Sequence, residues 1–308
     1  MLRILTVTLN PALDQVYEVA DFAVGKLNRP VSKTVTAGGK GINVARAYRA
    51  LGGQAMATGL AGGSVGRDIV DAAANEGIPT AFVSIAAESR ACVKIADSAT
   101  GVLTELNEPG PVVTAEEYGR LLARLRELLP DFDVIVLSGS VPPGVPTDVY
   151  AQLIRIARDE FGVASLLDAS GDALTAGIEA KPEIVKPNRH EAAELGIDPV
   201  RWQDAATELR HRYGVPVAVV TAGAEGAVVE SGAGKWRAAS PPIDVKSPVG
   251  SGDSLTAGFL SGWGDRDAVT ALKFGVAAGA VNAQSYRSGD VNADAVRQMA
   301  DRVTVTEM

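Results

Sequence analysis

One glycine-rich segment, Pro248-Val249-Gly250-Ser251-Gly252-Asp253-Ser254, precedes an apolar pattern with helical spacing. A glycine-rich turn that opens a helix points several backbone N–H groups at one spot, and the helix dipole favours an anion there. Asp253 would repel that anion, unless its carboxylate takes a proton from the group that attacks the anion. The segment therefore indicates a phosphoryl-transfer site, although a tight turn with Asp253 as a simple helix cap is the alternative.

A second glycine-rich turn, Gly38-Gly39-Lys40-Gly41, opens a predicted helix over residues 41–51. Lys40 and Asn43 would lie in its first turn, where both side chains can point at a polar ligand. Three glycines around one lysine favour a close approach of the backbone to a ligand. The alternative is a flexible connection with a solvated lysine.

Polar residues also follow predicted strands. Asp14 follows the strand predicted over residues 4–9, and ligands of parallel sheets bind beyond the carboxyl ends of the strands. It either bonds to substrate hydroxyls or forms an ordinary Asx turn. Arg90 is either a surface residue or, if the substrate carries a phosphate, a bidentate grip on that phosphate.

A possible magnesium site follows the strand predicted over residues 183–185. Asn188 and Glu191 lie one helical turn apart, and a carboxamide with a carboxylate suits a Mg²⁺ ion that keeps most of its water shell. The same two residues have the form of a capping box, and both interpretations can hold together. Residues 221–226 join two predicted strands, either as a hairpin turn or along a nucleotide.

Short β-branched runs alternate with amphipathic helical stretches along most of the chain, which predicts a mostly parallel sheet covered by helices on both faces. Two segments, approximately residues 15–36 and 80–110, hold alternating runs without a good helix. They are predicted to form a small separate β-sheet that acts as a lid over a site. Residues 1–308 are therefore predicted to form a single α/β domain with these lid segments inserted.

Composition restricts the classes of function. The net charge is −8 and no basic cluster is present, so neither nucleic acid nor an anionic membrane surface is expected as the main partner. The single cysteine, Cys92, excludes a disulfide within the chain and a cysteine metal cluster, and the two histidines have no metal-ligand spacing. The start of the chain is strand-like and no membrane-length apolar run occurs, so a cytoplasmic protein is expected. A dinucleotide fingerprint after the first strand is missing, which disfavours a nicotinamide oxidoreductase.

Together these segments resemble the ribokinase-like carbohydrate kinases of the phosphofructokinase-B family, over Leu5 to about Asn292. The two family signatures correspond to residues 37–45 and 249–254. Residues 10–14, 138–144 and 185–188 are similar to the branch that acts on ketohexose phosphates, which contains tagatose-6-phosphate kinase and 1-phosphofructokinase. Residues 57–63 and 282–284 favour tagatose-6-phosphate kinase.

The resemblance implies a ribokinase-like three-layer α/β/α fold and the use of ATP and Mg²⁺. It implies that Asp253 is the catalytic base and that Gly250, Ser251 and Gly252 form the anion hole for the γ-phosphate. Many members have alanine at the position of Ser251, which is unimportant if only the backbone N–H is used. The residues implied to contact the sugar are Asp14, Gly38, Gly39, Lys40, Asn43, Arg90, Asn107 and Ser138. Those implied for ATP and magnesium are Lys186, Asn188, Glu191, Thr221, Gly223, Gly226 and Asn282.

The expected reaction is in-line transfer of the ATP γ-phosphoryl group to a primary hydroxyl of tagatose 6-phosphate or fructose 1-phosphate. A fructose-6-phosphate kinase, or another sugar or nucleoside kinase of this fold, is the alternative. A non-catalytic regulator that binds nucleotides or sugar phosphates is a different class, and Asp253 argues against it because a pure binder gains nothing from an acid beside phosphate. The resemblance also implies a homodimer formed through the lid.

Overall fold

The computed structural model describes residues 1–308. The strands, in chain order, are β1 (Arg3–Thr8), β2 (Ala12–Val19), β3 (Ser32–Gly38), β4 (Gln54–Gly62), β5 (Val83–Ile85), β6 (Arg90–Asp97), β7 (Leu103–Asn107), β8 (Val134–Ser138), β9 (Ala164–Asp168), β10 (Ile184–Val185), β11 (Val217–Thr221), β12 (Ala227–Ser231), β13 (Gly234–Ala239) and β14 (Thr304–Glu307). The α-helices are α1 (Lys40–Ala50), α2 (Gly63–Asn75), α3 (Ala115–Leu128), α4 (Val149–Arg155), α5 (Gly171–Glu179), α6 (Arg189–Glu194), α7 (Trp202–Tyr213), α8 (Ser251–Gly262), α9 (Ala268–Asn282) and α10 (Ala293–Arg302).

The large sheet has ten strands in the order β14-β13-β12-β11-β10-β9-β8-β1-β4-β5. Every neighbouring pair from β11 to β5 is parallel, whereas β12, β13 and β14 join by antiparallel pairing at one edge. The strand β8 is buried along its whole length, as its continuous apolar run predicts. The carboxyl ends of β1, β9, β10 and β11 therefore meet at one edge of the sheet.

Helices cover both faces of this sheet. One apolar core joins the sheet to α3 through α7, and the other joins it to α1, α2, α8, α9 and α10. Alternation along β8 divides its side chains between them: Ile135 and Leu137 belong to the first core, and Val134 and Val136 to the second. The predicted three-layer α/β/α architecture is thus confirmed. No helix combines the length and the apolar character needed to cross a membrane.

The small sheet has four strands in the order β3-β2-β6-β7, with β2 and β6 parallel and the outer pairs antiparallel. The predicted boundaries of its segments need correction. The strand β5 lies within the segment 80–110 but pairs with β4 in the large sheet, where Ile85 is buried in the core. A three-residue strand carries too little alternation for the sequence to show which sheet it joins. The small sheet also begins at Ala12, because β2 follows β1 after a short turn.

Candidate active site

A cleft of about 440 Å³ lies between the small sheet and the carboxyl ends of the parallel strands. The predicted site residues that line it are Asp14, Gly39, Lys40, Asn43, Arg90, Asn107, Lys186, Asn188, Glu191, Thr221, Gly250, Gly252 and Asp253. The others that line it were not predicted: Ala12, Cys92, Lys94, Glu105, Asp168, Val249 and Ser288. The two glycine turns and the polar strand ends therefore meet at one place, as their positions after strands indicated.

Asp253 lies in the first turn of α8, and its side chain is almost completely buried. Its Oδ2 accepts a hydrogen bond from Asn43 Nδ2 at 2.9 Å. Burial raises the pKa of Asp253 to about 6, against the opposing effect of the Lys40 ammonium nearby. The carboxylate is thus mostly ionised at neutral pH, and its pKa is close enough to that pH for it to accept a proton.

The turn before α8 presents unpaired amides beside this carboxylate. The N–H groups of Gly250, Gly252 and Asp253 have no acceptor within the protein, whereas the N–H of Ser251 donates to Pro248 O at 3.2 Å. Gly250 has φ 81°, and a Cβ atom there would lie 2.6 Å from the Cβ of Ser288. Only glycine fits this backbone position. The amide of Ser251, which was predicted for the anion hole, is therefore less available than that of Asp253 itself.

A cluster of two lysines around one aspartate forms the floor of the cleft. Asp168, the last residue of β9, lies 2.8 Å from Lys186 Nζ and 3.1 Å from Lys40 Nζ. Burial alone would raise the pKa of Asp168, but the two ammonium groups outweigh it and hold that pKa below its ordinary value. Thr256 Oγ1 also donates to its Oδ2 at 3.3 Å. The sequence analysis did not predict Asp168 as a site residue. An acid at the end of a buried strand was nevertheless a usable signal, since Asp14 was predicted from a similar position after a strand.

The small sheet contributes a second row of charges. Lys94 on β6 is buried, and its Nζ lies 3.4 Å from Asp14 Oδ2 and 3.9 Å from Glu105 Oε1. The carboxylate of Asp14 lies directly against the Cα of Gly38, where a Cβ would be 2.5 Å from Cγ of Asp14. Gly38 therefore packs against the carboxylate of Asp14, and Gly38 itself does not line the cleft.

Arg90 is the first residue of β6 and is tied to backbone carbonyls. Its Nε and Nη2 donate to Asn10 O at 3.3 and 3.2 Å, and its Nη1 donates to Glu108 O at 3.1 Å. These bonds hold the guanidinium at the cleft wall and use three of its five N–H groups, so two donors remain. Asn107, on the neighbouring strand β7, is exposed beside the same wall.

The residues predicted to hold magnesium differ in their fit to that ion. Asn188 is the N-cap of α6, and its Oδ1 already accepts from the N–H groups of His190 and Glu191 at 2.8 and 3.0 Å. Glu191 completes the capping box through Oε2, while its Oε1 lies 3.6 Å from Lys40 Nζ. Of the two residues, only Glu191 has a side-chain oxygen, Oε1, that accepts no hydrogen bond, and no cluster of three acidic, histidine or cysteine side chains is present. Such a site suits an ion held mainly by phosphates and water.

Several predicted residues lie outside the cleft. Ser138 is completely buried at the end of β8, and its Oγ has no hydrogen-bond partner. Asn282 is also completely buried: its Nδ2 donates to Val249 O at 2.9 Å, and its Oδ1 accepts from Ser254 Oγ at 3.0 Å. The side chain of Asn282 therefore braces the glycine turn and does not line the cleft. Gly223, Gly226 and Ser251 do not line the cleft either.

Comparisons with known proteins show which family and fold the chain resembles. The family model of pfkB family carbohydrate kinases matches residues 7–294. The tetrameric inhibited form of phosphofructokinase-2 from Escherichia coli is 30% identical, with a TM-score of 0.88 over 98% of this chain and 99% of that chain. A structure of that enzyme with fructose 6-phosphate has a TM-score of 0.87 at 30% identity over 98% and 99%. A possible 1-phosphofructokinase from Thermotoga maritima is 30% identical, with a TM-score of 0.90 over 99% of each chain.

Proposed function

Because the chain belongs to the pfkB family of carbohydrate kinases, we propose that it transfers the γ-phosphoryl group of ATP to a primary hydroxyl of a ketohexose phosphate. The candidate acceptors are tagatose 6-phosphate, fructose 1-phosphate and fructose 6-phosphate. The observation that carries the proposal is Asp253: a buried carboxylate with a raised pKa, in the same helix turn as three unpaired backbone amides.

In the proposed reaction, the substrate hydroxyl oxygen forms a bond to the γ-phosphorus as the bond between that phosphorus and the ADP oxygen breaks. The hydroxyl proton passes to Asp253, and the unpaired amides of Gly250 and Gly252 stabilise the charge of the transferring group. Phosphoryl transfer needs positioning and charge neutralisation more than covalent chemistry, and the N-terminus of α8 supplies both.

The donor end of the cleft is proposed to lie beside Lys186, Thr221 and Glu191. All three line the cleft on the side formed by the carboxyl ends of β10 and β11. Mg²⁺, when bound, would neutralise charge on the phosphates, and Glu191 Oε1 is the protein oxygen available to hold it through water. Asn188 supports this role indirectly, because its cap fixes the backbone from which Glu191 projects.

The acceptor end is proposed to lie under the small sheet. Asp14 keeps one carboxylate oxygen free of Lys94 for a sugar hydroxyl, and Arg90 keeps two N–H groups for the phosphate that the sugar already carries. This arrangement explains why a phosphosugar would be preferred to a free sugar. A ketose ring has a primary hydroxyl at each end, so an enzyme that grips one end can phosphorylate the other.

Exposed apolar side chains of the small sheet and of its loop between β2 and β3 support the proposed dimer through the lid. Val24, Leu27 and Val31, in the loop between β2 and β3, and Leu106 on β7 are large apolar side chains that remain exposed, with Val24 89% exposed. Three exposed apolar side chains within eight residues of one loop suit a surface that another protein covers.

The test is ATP consumption against a panel of acceptors: fructose 1-phosphate, fructose 6-phosphate, tagatose 6-phosphate, ribose, adenosine and fructose. We expect turnover with at least one ketohexose phosphate and little with the unphosphorylated sugars. Turnover that is best with ribose or adenosine would reject the phosphosugar assignment. Binding of ATP without turnover on any acceptor would favour the non-catalytic regulator.

The role of Arg90 is tested separately with Arg90→Ala. Loss of a charge-assisted contact to the substrate phosphate should raise KM for the phosphosugar by about 10- to 100-fold, because such contacts contribute about 1.5–3 kcal/mol. The comparison is KM for the unphosphorylated sugar, which the substitution should leave unchanged. An equal rise for both acceptors would contradict the proposed phosphate contact.

A further inference from the structure

Arg46 on α1 is buried behind the site and donates hydrogen bonds to three different segments. Its Nη1 donates to Asn43 Oδ1 at 2.8 Å and to Ser288 O at 2.9 Å, and its Nη2 donates to Ala37 O. Its Nε is paired with Glu76. The side chain is 9% exposed and does not line the cleft, so it can act on the reaction only through other residues.

The chemistry of these partners fixes the orientation of one amide. A guanidinium has only donors, so the group of Asn43 that faces Arg46 must be the oxygen. The NH₂ group of Asn43 is then forced to the opposite side, where Nδ2 lies 2.9 Å from Asp253 Oδ2. Arg46 is the only group that donates a hydrogen bond to Asn43 Oδ1. Without Arg46, no donor at Oδ1 would hold the amide in this orientation.

We propose that Arg46 is a positioning residue, which holds the amide of Asn43 with its NH₂ group toward Asp253 and so keeps the base ionised and ready to accept the substrate proton. This inference rests on the proposed function, because Asp253 acts as a base only in that reaction. The amide oxygen of a reversed Asn43 would face the carboxylate, and a carboxylate avoids that contact by taking up a proton. Arg46 thus controls the charge of Asp253 through one intermediate residue, Asn43.

Other charges also act on Asp253. The ammonium groups of Lys40 on α1 and Lys186 after β10 lower its pKa, and the carboxylate of Asp168 at the end of β9 raises it. None of these three groups contacts Arg46. A change at Arg46 therefore leaves them in place, and its effect on the base passes through Asn43.

The experiment compares Arg46→Met with the wild type over pH 5 to 9. We expect the acidic limb of kcat to rise by about one pH unit, which lowers kcat about five-fold near pH 6 and hardly at pH 8. KM for ATP should change by less than about two-fold. A purely structural role would instead lower activity equally at every pH. If Arg46→Met does not fold, Arg46→Gln replaces it, since a glutamine amide also permits Asn43 to turn over and should shift the limb in the same direction.

Arg287→Met is the matched control. Arg287 Nη2 contacts Glu76, the same carboxylate that binds Arg46, at 2.8 Å, but Arg287 makes no contact with Asn43. Its acidic limb should match that of the wild type. A shift as large as that of Arg46→Met would show that disturbance around Glu76, and not the amide of Asn43, is responsible.

Two further measurements decide the route. In an Asn43→Ala background, Arg46→Met should add no further shift, because the amide through which it acts is gone; a second full shift would overturn the proposal. The titration of the Asp253 carboxyl, followed by infrared difference spectroscopy against Asp253→Asn, needs no turnover. An upward shift there in a protein without kinase activity would support Arg46 while rejecting the proposed function. An unchanged titration would reject the role of Arg46 alone.

Discussion

The end of β9 and the first turn of α8 each place a buried aspartate in the same cleft, yet the two carboxylates have opposite properties. Asp168 is 1% exposed and Asp253 is 5% exposed, so burial alone does not distinguish them. The pKa of Asp168 is lowered and that of Asp253 is raised to about 6. The difference lies in their partners, because Asp168 contacts two ammonium groups, whereas Asp253 accepts one hydrogen bond from a neutral amide.

This contrast assigns the two carboxylates to different tasks. A carboxylate between two lysines has little tendency to take up a proton, so Asp168 is suited to holding Lys40 and Lys186 in place. A carboxylate that is buried with a single weak partner accepts a proton more readily, as a base must. If Asp253 is the base that we propose, the number of cations around each carboxylate separates a structural counter-ion from the reactive group.

The substitution Asp253→Asn should give the largest effect. We expect kcat to fall by about two to four orders of magnitude, the usual loss when a general base is removed, while KM for ATP changes little. The melting temperature should be unchanged or higher, because the cost of burying a charge disappears. Steady-state kinetics and thermal unfolding on the same sample measure both. Near-normal turnover would refute the role of Asp253 and, with it, the distinction between the two aspartates.

The sequence predicted Asp253 but not Asp168, for a physical reason. Asp253 belongs to a local pattern, a glycine turn that opens a helix, and local patterns can be recognised without knowing the fold. Asp168 acquires its role from Lys40 and Lys186, which lie 128 and 18 residues away along the chain. Only the parallel sheet brings these residues together, although an acid at the end of a buried strand would have been a usable signal.

The same limit explains why the surroundings of some predicted residues could not be inferred from the sequence. The fold class followed from alternating strands and helices, and the boundaries of β8 and α3 agree with their apolar patterns. The direction in which Asn282 points could not be predicted, because its hydrogen-bond partners, Val249 O, Ser254 Oγ and the N–H of Gly289, are brought to it only by the packing of α9 behind the glycine turn. Asn188 likewise uses its oxygen in a cap that the sequence did indicate.

The substitution Asp168→Asn should chiefly affect stability. It leaves Lys186, which is 4% exposed at its side chain, without a counter-ion, and breaking a buried pair in this way costs about 3–5 kcal/mol of unfolding free energy. Denaturant unfolding measures the loss. The control is Asp204→Asn, since Asp204 also contacts two cations, Arg201 and Lys235, but is 42% exposed. For Asp204→Asn we expect the unfolding free energy to fall by less than about 1 kcal/mol. Equal losses would mean that burial does not distinguish the two pairs.

The smallest effect concerns pH. Because the pKa of Asp253 in the folded protein is about 6, kcat should rise as pH increases through about 6, when the carboxyl loses its proton. Asp168 should add no second limb in that range, because its pKa lies below its ordinary value. The pH dependence of kcat measures both.

The substitution Lys40→Met makes this comparison sharper, since Lys40 is the cation that both aspartates share. Its ammonium lowers the pKa of Asp253, so its removal should move the acidic limb upward by up to about one pH unit. Asp168 keeps Lys186 at 2.8 Å and should remain ionised. The direction of the pKa shift of Asp253 also determines how the stability of the protein depends on pH. A raised pKa in the folded state stabilises the protein below about pH 4, and that stabilisation is lost as pH rises through about 6. In Lys40→Met this stabilisation should continue to be lost up to a higher pH than in the wild type. The free energy of unfolding, measured at pH 5, 6 and 7, would reveal the difference. A limb that moves downward would contradict the proposed electrostatic role of Lys40.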